Sequence, residues 1–194
     1  FPWFDIVPAT MIRSIGGDVV TDPGSVPDAT RWRVASEYLV HLAAMYESIF
    51  RPALGDRYDT LEQEVWMEMV RFSAETARSL QLPAGTAAEL AESLRMVSRM
   101  VFGPDSKEEV IGLGNDDAVI IIKRCPVLVH DSGLSSAGDG MFHRCMAFTL
   151  SAQKSMNPAY SARFVRAMCM GDRQCEIKLE PEKEPEKKPD GKNA

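Results

Sequence analysis

The 194-residue sequence predicts an α+β fold: an N-terminal helical bundle packed on a C-terminal antiparallel sheet with one intervening helix. Three observations predict it. Apolar residues recur at helical spacing between residues 28 and 103, and after Pro104 the texture changes to short β-branched runs broken by turn residues. A hydrophobic content of 45% over this length supplies a core large enough for one domain. That domain is read as residues 28–180, with a helical lobe at 28–103 and a sheet and cysteine lobe at 104–180.

Residues 1–27 hold Pro2, Pro8, Pro23, Pro27 and the pair Gly16-Gly17, which break any long helix, so an extended N-terminal arm with anchors Trp3 and Phe4 is expected. The first helix is read over 28–54. Trp32, Ala35, Leu39, Leu42, Tyr46, Ile49 and Phe50 form its apolar stripe, with Arg33, Glu37 and Glu47 off it. The second helix is expected from Thr60, whose hydroxyl would cap backbone amides while Gln63 reaches back, to a stop at Pro83. A second such box, Thr86 with Glu89, opens the third helix; Leu90, Leu94, Val97 and Val101 line its core face, and Gly103-Pro104 ends it. Met67, Met69, Met96 and Met100 are read as core fillers, and His41 as an ordinary helix residue.

In the second half "EEVIGLG" and "DAVIIIKRC" flank "NDD" as a hairpin, and the continuous apolar run marks its second strand as central. "GLG" at 112–114 lacks the rest of a dinucleotide fingerprint and is a turn or bulge. "HDSGLSSAGDG" reads as a polar loop. His130, Asp131 and Ser135 in it carry the letters of a hydrolase triad without a nucleophile elbow. "MFHRCMAFTLSAQKS" is a helix that stops before Asn157-Pro158, and "SARFVRAMCMGDRQCEIKLE" a strand, a turn at Gly171-Asp172 and a return strand. Residues 181–194, with balanced charges, three prolines and no aromatic, are expected to be a disordered charged tail.

Charge narrows the function classes. Twenty-two Lys and Arg against 28 Asp and Glu give −6, without the clustered basic surface that a phosphate backbone needs, so nucleic acid is disfavoured as a partner. The longest apolar run, "AVIII" at 118–122, is far shorter than the roughly 20 residues that span a bilayer. No membrane association is expected. With no basic-then-apolar leader, the expected compartment is the cytoplasm, where thiols stay reduced.

All four cysteines, Cys125, Cys145, Cys169 and Cys175, fall within the last 70 residues of the chain. No Cys-x-x-Cys knuckle is present. Two cysteines on the strands of the last hairpin, one ending the central strand and one on the intervening helix can still converge, and four thiolates suit zinc or an iron–sulfur cluster. The same residues would otherwise be small buried hydrophobes. His143 stands as a substitute ligand, but it diverges from Cys145 by about 200° on a helix.

"KRCPV", "MFHRCMAF" and "RAMCMGDRQCEIKL" together resemble the amino-thiazoline-carboxylate hydrolase family: a Cys-Pro after a strand, a middle Cys on a helix and a closing Gly-Asp-x-x-Cys-acidic-apolar strand. The matching positions are Cys125, Pro126, Cys145, Gly171, Asp172, Cys175, Glu176 and Ile177, with Arg166 where that family tends to carry an arginine. The resemblance covers about residues 120–180 and is loose over 30–119. A more distant likeness is to the 4-vinyl reductase type of small-molecule-binding domain, whose cysteines can hold zinc. Cys169 is an addition to the hydrolase pattern, and the middle Cys lacks the Asp that often follows it.

The resemblance implies hydrolytic opening of a small C=N-containing carboxylate, with Asp172 or Glu176 as base and Arg166 or Arg163 holding the substrate carboxylate. Four cysteine ligands would close a zinc site and make it structural or redox-active; three plus water would leave it catalytic. The alternative is a non-catalytic small-molecule sensor or a module that binds a protein partner, with a structural metal bracing the sheet.

Overall fold

The computed structural model describes residues 22–130 and 139–182, and within them the α+β architecture holds. Helices α1 (Asp28–Leu54), α2 (Arg57–Ser79) and α3 (Ala87–Phe102) precede the hairpin β1 (Lys107–Leu113) and β2 (Asp117–Arg124). The short α4 (Pro126–His130), α5 (Asp139–Met156), β3 (Tyr160–Arg166) and β4 (Cys175–Pro181) complete the chain. The four strands form one antiparallel sheet in the order β1-β2-β4-β3, which makes the apolar β2 central as its sequence implies. Residues 1–21 of the arm expected at 1–27, and Asp131 and Ser135 of the polar loop, lie outside the described residues, as does nearly all of the charged tail. Among the described residues no helix is long and apolar enough to cross a membrane.

The sheet buries one face. Ala118 and Ile120 of β2, with Cys175, Ile177 and Leu179 of β4, point inward at the two-residue strand period. α3 and α5 lie on them. Leu90, Ala91 and Leu94 of α3 and Phe148 and Ala152 of α5 fill the space between. The opposite face carries ion pairs such as Lys178–Asp117, Arg166–Glu176 and Lys123–Glu109. α1 and α2 form the outer layer, with α2 packed along α5.

The capping box at the third helix is real: Thr86 Oγ1 accepts from the Glu89 amide at 3.2 Å, and Glu89 Oε2 accepts from the Thr86 amide at 3.0 Å. The hairpin turn reinforces it. Asn115 and Asp116 both take positive φ, as a tight two-strand turn requires, and Asp116 accepts from the Ala87 amide at 2.9 Å and from the Tyr160 hydroxyl. One carboxylate thus joins the turn, the start of α3 and the start of β3.

The second helix departs from its reading. It begins at Arg57, one turn before Thr60, because Gly55 at φ 56° ends α1 and the Tyr58 amide already donates to the Gly55 carbonyl. Thr60 is therefore inside the helix and caps nothing. A larger correction concerns α1. Its buried residues are Ser36, Val40, Ala44 and Glu47, whereas Leu42, Tyr46, Ile49 and Phe50 of the expected core stripe are exposed. The methionines follow suit: Met67, Met96 and Met100 are exposed and Met69 is half-buried.

Small residues set the distance between α1 and α3. A Cβ at Gly103, which ends α3 at φ 97°, would lie 2.8 Å from Ser36 Cβ and closer still to its hydroxyl. Gly103→Ala combines a left-handed strain with a clash, and a loss of about 2–3 kcal/mol in denaturant unfolding is the expected result. Ser36→Gly in the same chain should recover part of it, because it removes only the clash.

Candidate functional site

Cys125 follows β2 directly, Cys145 lies on α5, Cys169 on a single 3-10 turn at Met168–Met170, and Cys175 opens β4. Cys169 is therefore not on a strand as the hairpin reading had it. The backbone still brings the four together: all of them line one cavity of about 70 Å³ between the end of the sheet, α4 and α5. Phe102, Ile122, Met141 and Phe164 are among the apolar residues of the remaining wall, and Ser98 and Thr149 among its polar ones. Among the described residues, however, no group of three or more His, Cys, Asp and Glu side chains is set to hold a metal ion. The donors expected for zinc or iron–sulfur thus share a cavity without the spacing of a ligand set. His143 is exposed and lies outside that lining.

The electrostatics favour neutral sulfur. Burial pushes the Cys125 thiol up to about 11, and the neighbouring Cys175 and Cys169 sulfurs add to the shift. Amides of Leu128 and Val127, at the start of α4, donate to Cys125 and oppose it. Cys145 is raised by burial and by the proximity of the other three sulfurs. Burial also raises Cys169 and Cys175, the latter accepting from the Met168 amide at 3.2 Å. At neutral pH the lining is four thiols, which behave as small apolar groups.

One acidic side chain faces this lining. Glu108 of β1 contributes to the cavity wall, and burial raises its carboxyl above the usual range although Arg95 and Arg99 pull the other way. Ser106 is near enough to favour the ionised form, yet neither Ser106 Oγ nor Glu108 Oε2 makes a hydrogen bond of good geometry, and both atoms are buried. An unsatisfied buried carboxyl oxygen costs on the order of 1–3 kcal/mol.

Asp172, Glu176 and Arg166, the acid–base and anchoring residues implied by the hydrolase resemblance, lie on the last hairpin outside the cavity lining. Arg166 donates to Glu176 at 2.9 Å across the strand pair, and Asp172 accepts from the Ala167 amide at 2.8 Å, bracing the turn. Arg163 is more than half exposed and faces Glu180.

Next to Cys145 stands a group that sequence reasoning missed. Arg144 is 8% exposed and donates to Glu47 of α1 at 2.7 Å and to Glu62 of α2 at 2.9 Å. Glu47 is 2% exposed and also accepts from Arg51 at 3.0 Å. Burial opposes the Arg144 charge, but the two carboxylates outweigh it and hold its pKa above the ordinary arginine value. The available signal was the run Ser36, Val40, Ala44, Glu47, which repeats at helical spacing and puts a glutamate on the small-residue face.

No family model matches the chain, and no curated protein matches it. Solved structures do match it, two of them as follows. Trafficking protein particle complex subunit 3 from Naegleria fowleri, covalently bound to palmitic acid, is 15% identical; the match covers 77% of this chain and 96% of that one, with a TM-score of 0.52. The phenol-responsive sensory domain of the transcription activator PoxR, solved with phenol, is 14% identical over 75% of this chain and 74% of its own, with a TM-score of 0.45. The first likeness shows a shared fold. Neither protein is an amino-thiazoline-carboxylate hydrolase or a 4-vinyl reductase.

Two outcomes follow from the buried groups. Arg144→Met leaves two buried carboxylates facing each other, and a loss of about 3–5 kcal/mol in chemical unfolding is expected. Cys125 holds its proton more tightly folded than unfolded, so its contribution is intact below about pH 9 and lost as pH climbs through about 11. Unfolding free energies measured from pH 8 to 11 should therefore fall less steeply in Cys125→Ala than in the parent chain.

Proposed function

We propose that this chain is a small-molecule-binding module whose ligand site is the cysteine-lined cavity, and that it binds without chemical conversion. The carrying observation is the character of that cavity: four neutral thiols and mostly aromatic and aliphatic side chains, with Ser98, Thr149 and Glu108 as the polar members and Glu108 Oε2 without a hydrogen bond. Such a wall selects a small, mainly apolar molecule with a hydrogen-bonding group for Glu108. With its pKa raised, the Glu108 carboxyl serves a ligand acceptor when protonated and a ligand donor when ionised. Support for apolar capture on this architecture comes from the trafficking-complex subunit, which carries palmitic acid.

A second reading keeps the four cysteines as a zinc or iron–sulfur site, and the sharing of one cavity by all four sulfurs favours it. The two readings part at purification. One zinc, or stoichiometric iron and sulfide, in anaerobically prepared protein supports the metal; a metal-free, folded protein with four titratable thiols supports the binding module.

The binding reading is tested by amide chemical shifts during titration with small aromatic and aliphatic alcohols and amines. Shifts should centre on Cys125, Cys145 and Cys175. Glu108→Gln should weaken the best probe about tenfold, the worth of one buried hydrogen bond to a charged group. Cys145→Leu, which fills the cavity, should abolish the shifts while the chain stays folded. No probe causing localised shifts at millimolar concentration would sink the proposal.

A further inference from the structure

The outward face of α1 is the largest feature that neither the core nor the cavity uses. Val34, Tyr38, Leu42, Met45 and Ile49 follow one another at spacings of four, four, three and four residues, a single stripe on a 3.6-residue helix. All five are exposed, Tyr38 by 74% and Val34 by 55%. Alongside, Tyr46, Phe50 and Leu54 meet Leu61 and Val65 of α2 over an apolar groove of about 390 Å³. Taking about 150–200 Å² for each large apolar side chain, the exposed fractions amount to roughly 800 Å². That is the share each partner buries in an interface of standard size, and more than a lone soluble chain ordinarily leaves open.

We propose that a second copy of this chain covers this face, in a two-fold dimer with the two α1 helices antiparallel and centred on Leu42. The spacing of the stripe is self-complementary. Tyr38 and Met45 lie four and three residues either side of Leu42, and Val34 and Ile49 eight and seven, so reversing one helix sets Tyr38 against Met45 and Val34 against Ile49 to within one residue. Charge permits the pairing as well. Each copy carries −6 and the two repel as wholes, but Arg33, Glu37 and Glu47 project from other sides of α1, and the stripe itself holds no charged residue. The proposal is independent of what the cysteine cavity binds.

The register makes the test specific. Sedimentation of the full chain at tens of micromolar should give twice the 21.5 kDa chain mass. Tyr38→Lys and Met45→Glu, each alone, should give monomers with unchanged circular dichroism, since both positions are on the surface. Mixing the two variants should restore a dimer, because each Lys at 38 then faces a Glu at 45 while the other half of the interface stays native. A monomeric parent chain at 100 µM would overturn the proposal, and would leave the face to residues 1–21 of the same chain or to a different protein. So would a dimer that survives either substitution, or two variants that fail to pair.

Discussion

The position of every helix in the outer layer depends on one buried cation. Arg144 projects from α5 into the space beneath α1 and α2 and meets Glu47 and Glu62, one carboxylate from each helix. Burying three charges is costly, and a well-packed apolar trio in their place would serve stability as well. What the ions supply is geometry. Glu47 can reach Arg144 only if α1 is rolled so that Ser36, Val40 and Ala44 face inward with it, and that rotation forces the larger apolar side chains to the outside.

This explains why the sequence was legible in one half and misleading in the other. Where burial follows hydrophobicity the reading holds: the Thr86 box, the Leu90–Leu94–Val97 face of α3, the central β2 and the hairpin at Asn115-Asp116 all sit where local propensity and core packing agree. In α1 they disagree. Its most apolar stripe is exposed because small residues let α1 approach α3 at Gly103, and because an ion pair with a residue 97 positions away fixes the roll. No periodicity within α1 encodes that partner. The Thr60 box failed for a smaller reason of the same kind, since the turn at Gly55 had already started α2.

The cysteines give a mixed lesson. Their gathering from four separate elements into one cavity was legible, because Cys125 directly follows the central strand and β4 pairs with that strand. Their protonation depends on what surrounds them. A thiolate needs water, cations or a metal, and burial among side chains such as Phe102, Met141 and Phe164 outweighs the pull of Arg144 on Cys145 and Cys169 and of the Val127, Leu128 and Met168 amides. Nor does a strand pattern contain Glu108, whose significance lies in an oxygen left without a partner rather than in its place along β1.

The cavity and the outer layer are not separate compartments. Two smaller gaps of about 30 Å³ lie between the cysteine cavity and α1, and Phe102 and Val127 border all three, while Arg144 borders the two nearer α1. Phe148 meets Trp66 and Phe102 edge to face across this region, its centroid 5.3 Å from that of Phe102, and Trp66 and Phe102 lie tilted against each other. Interiors packed to crystal density transmit displacement, and a line of small voids marks where side chains can move first. Phe102 thus touches both the cysteine cavity and the space around Arg144, whose carboxylate partners fix the roll of α1. The cysteine-lined cavity and the exposed helical face are joined by the same few side chains that set the fold.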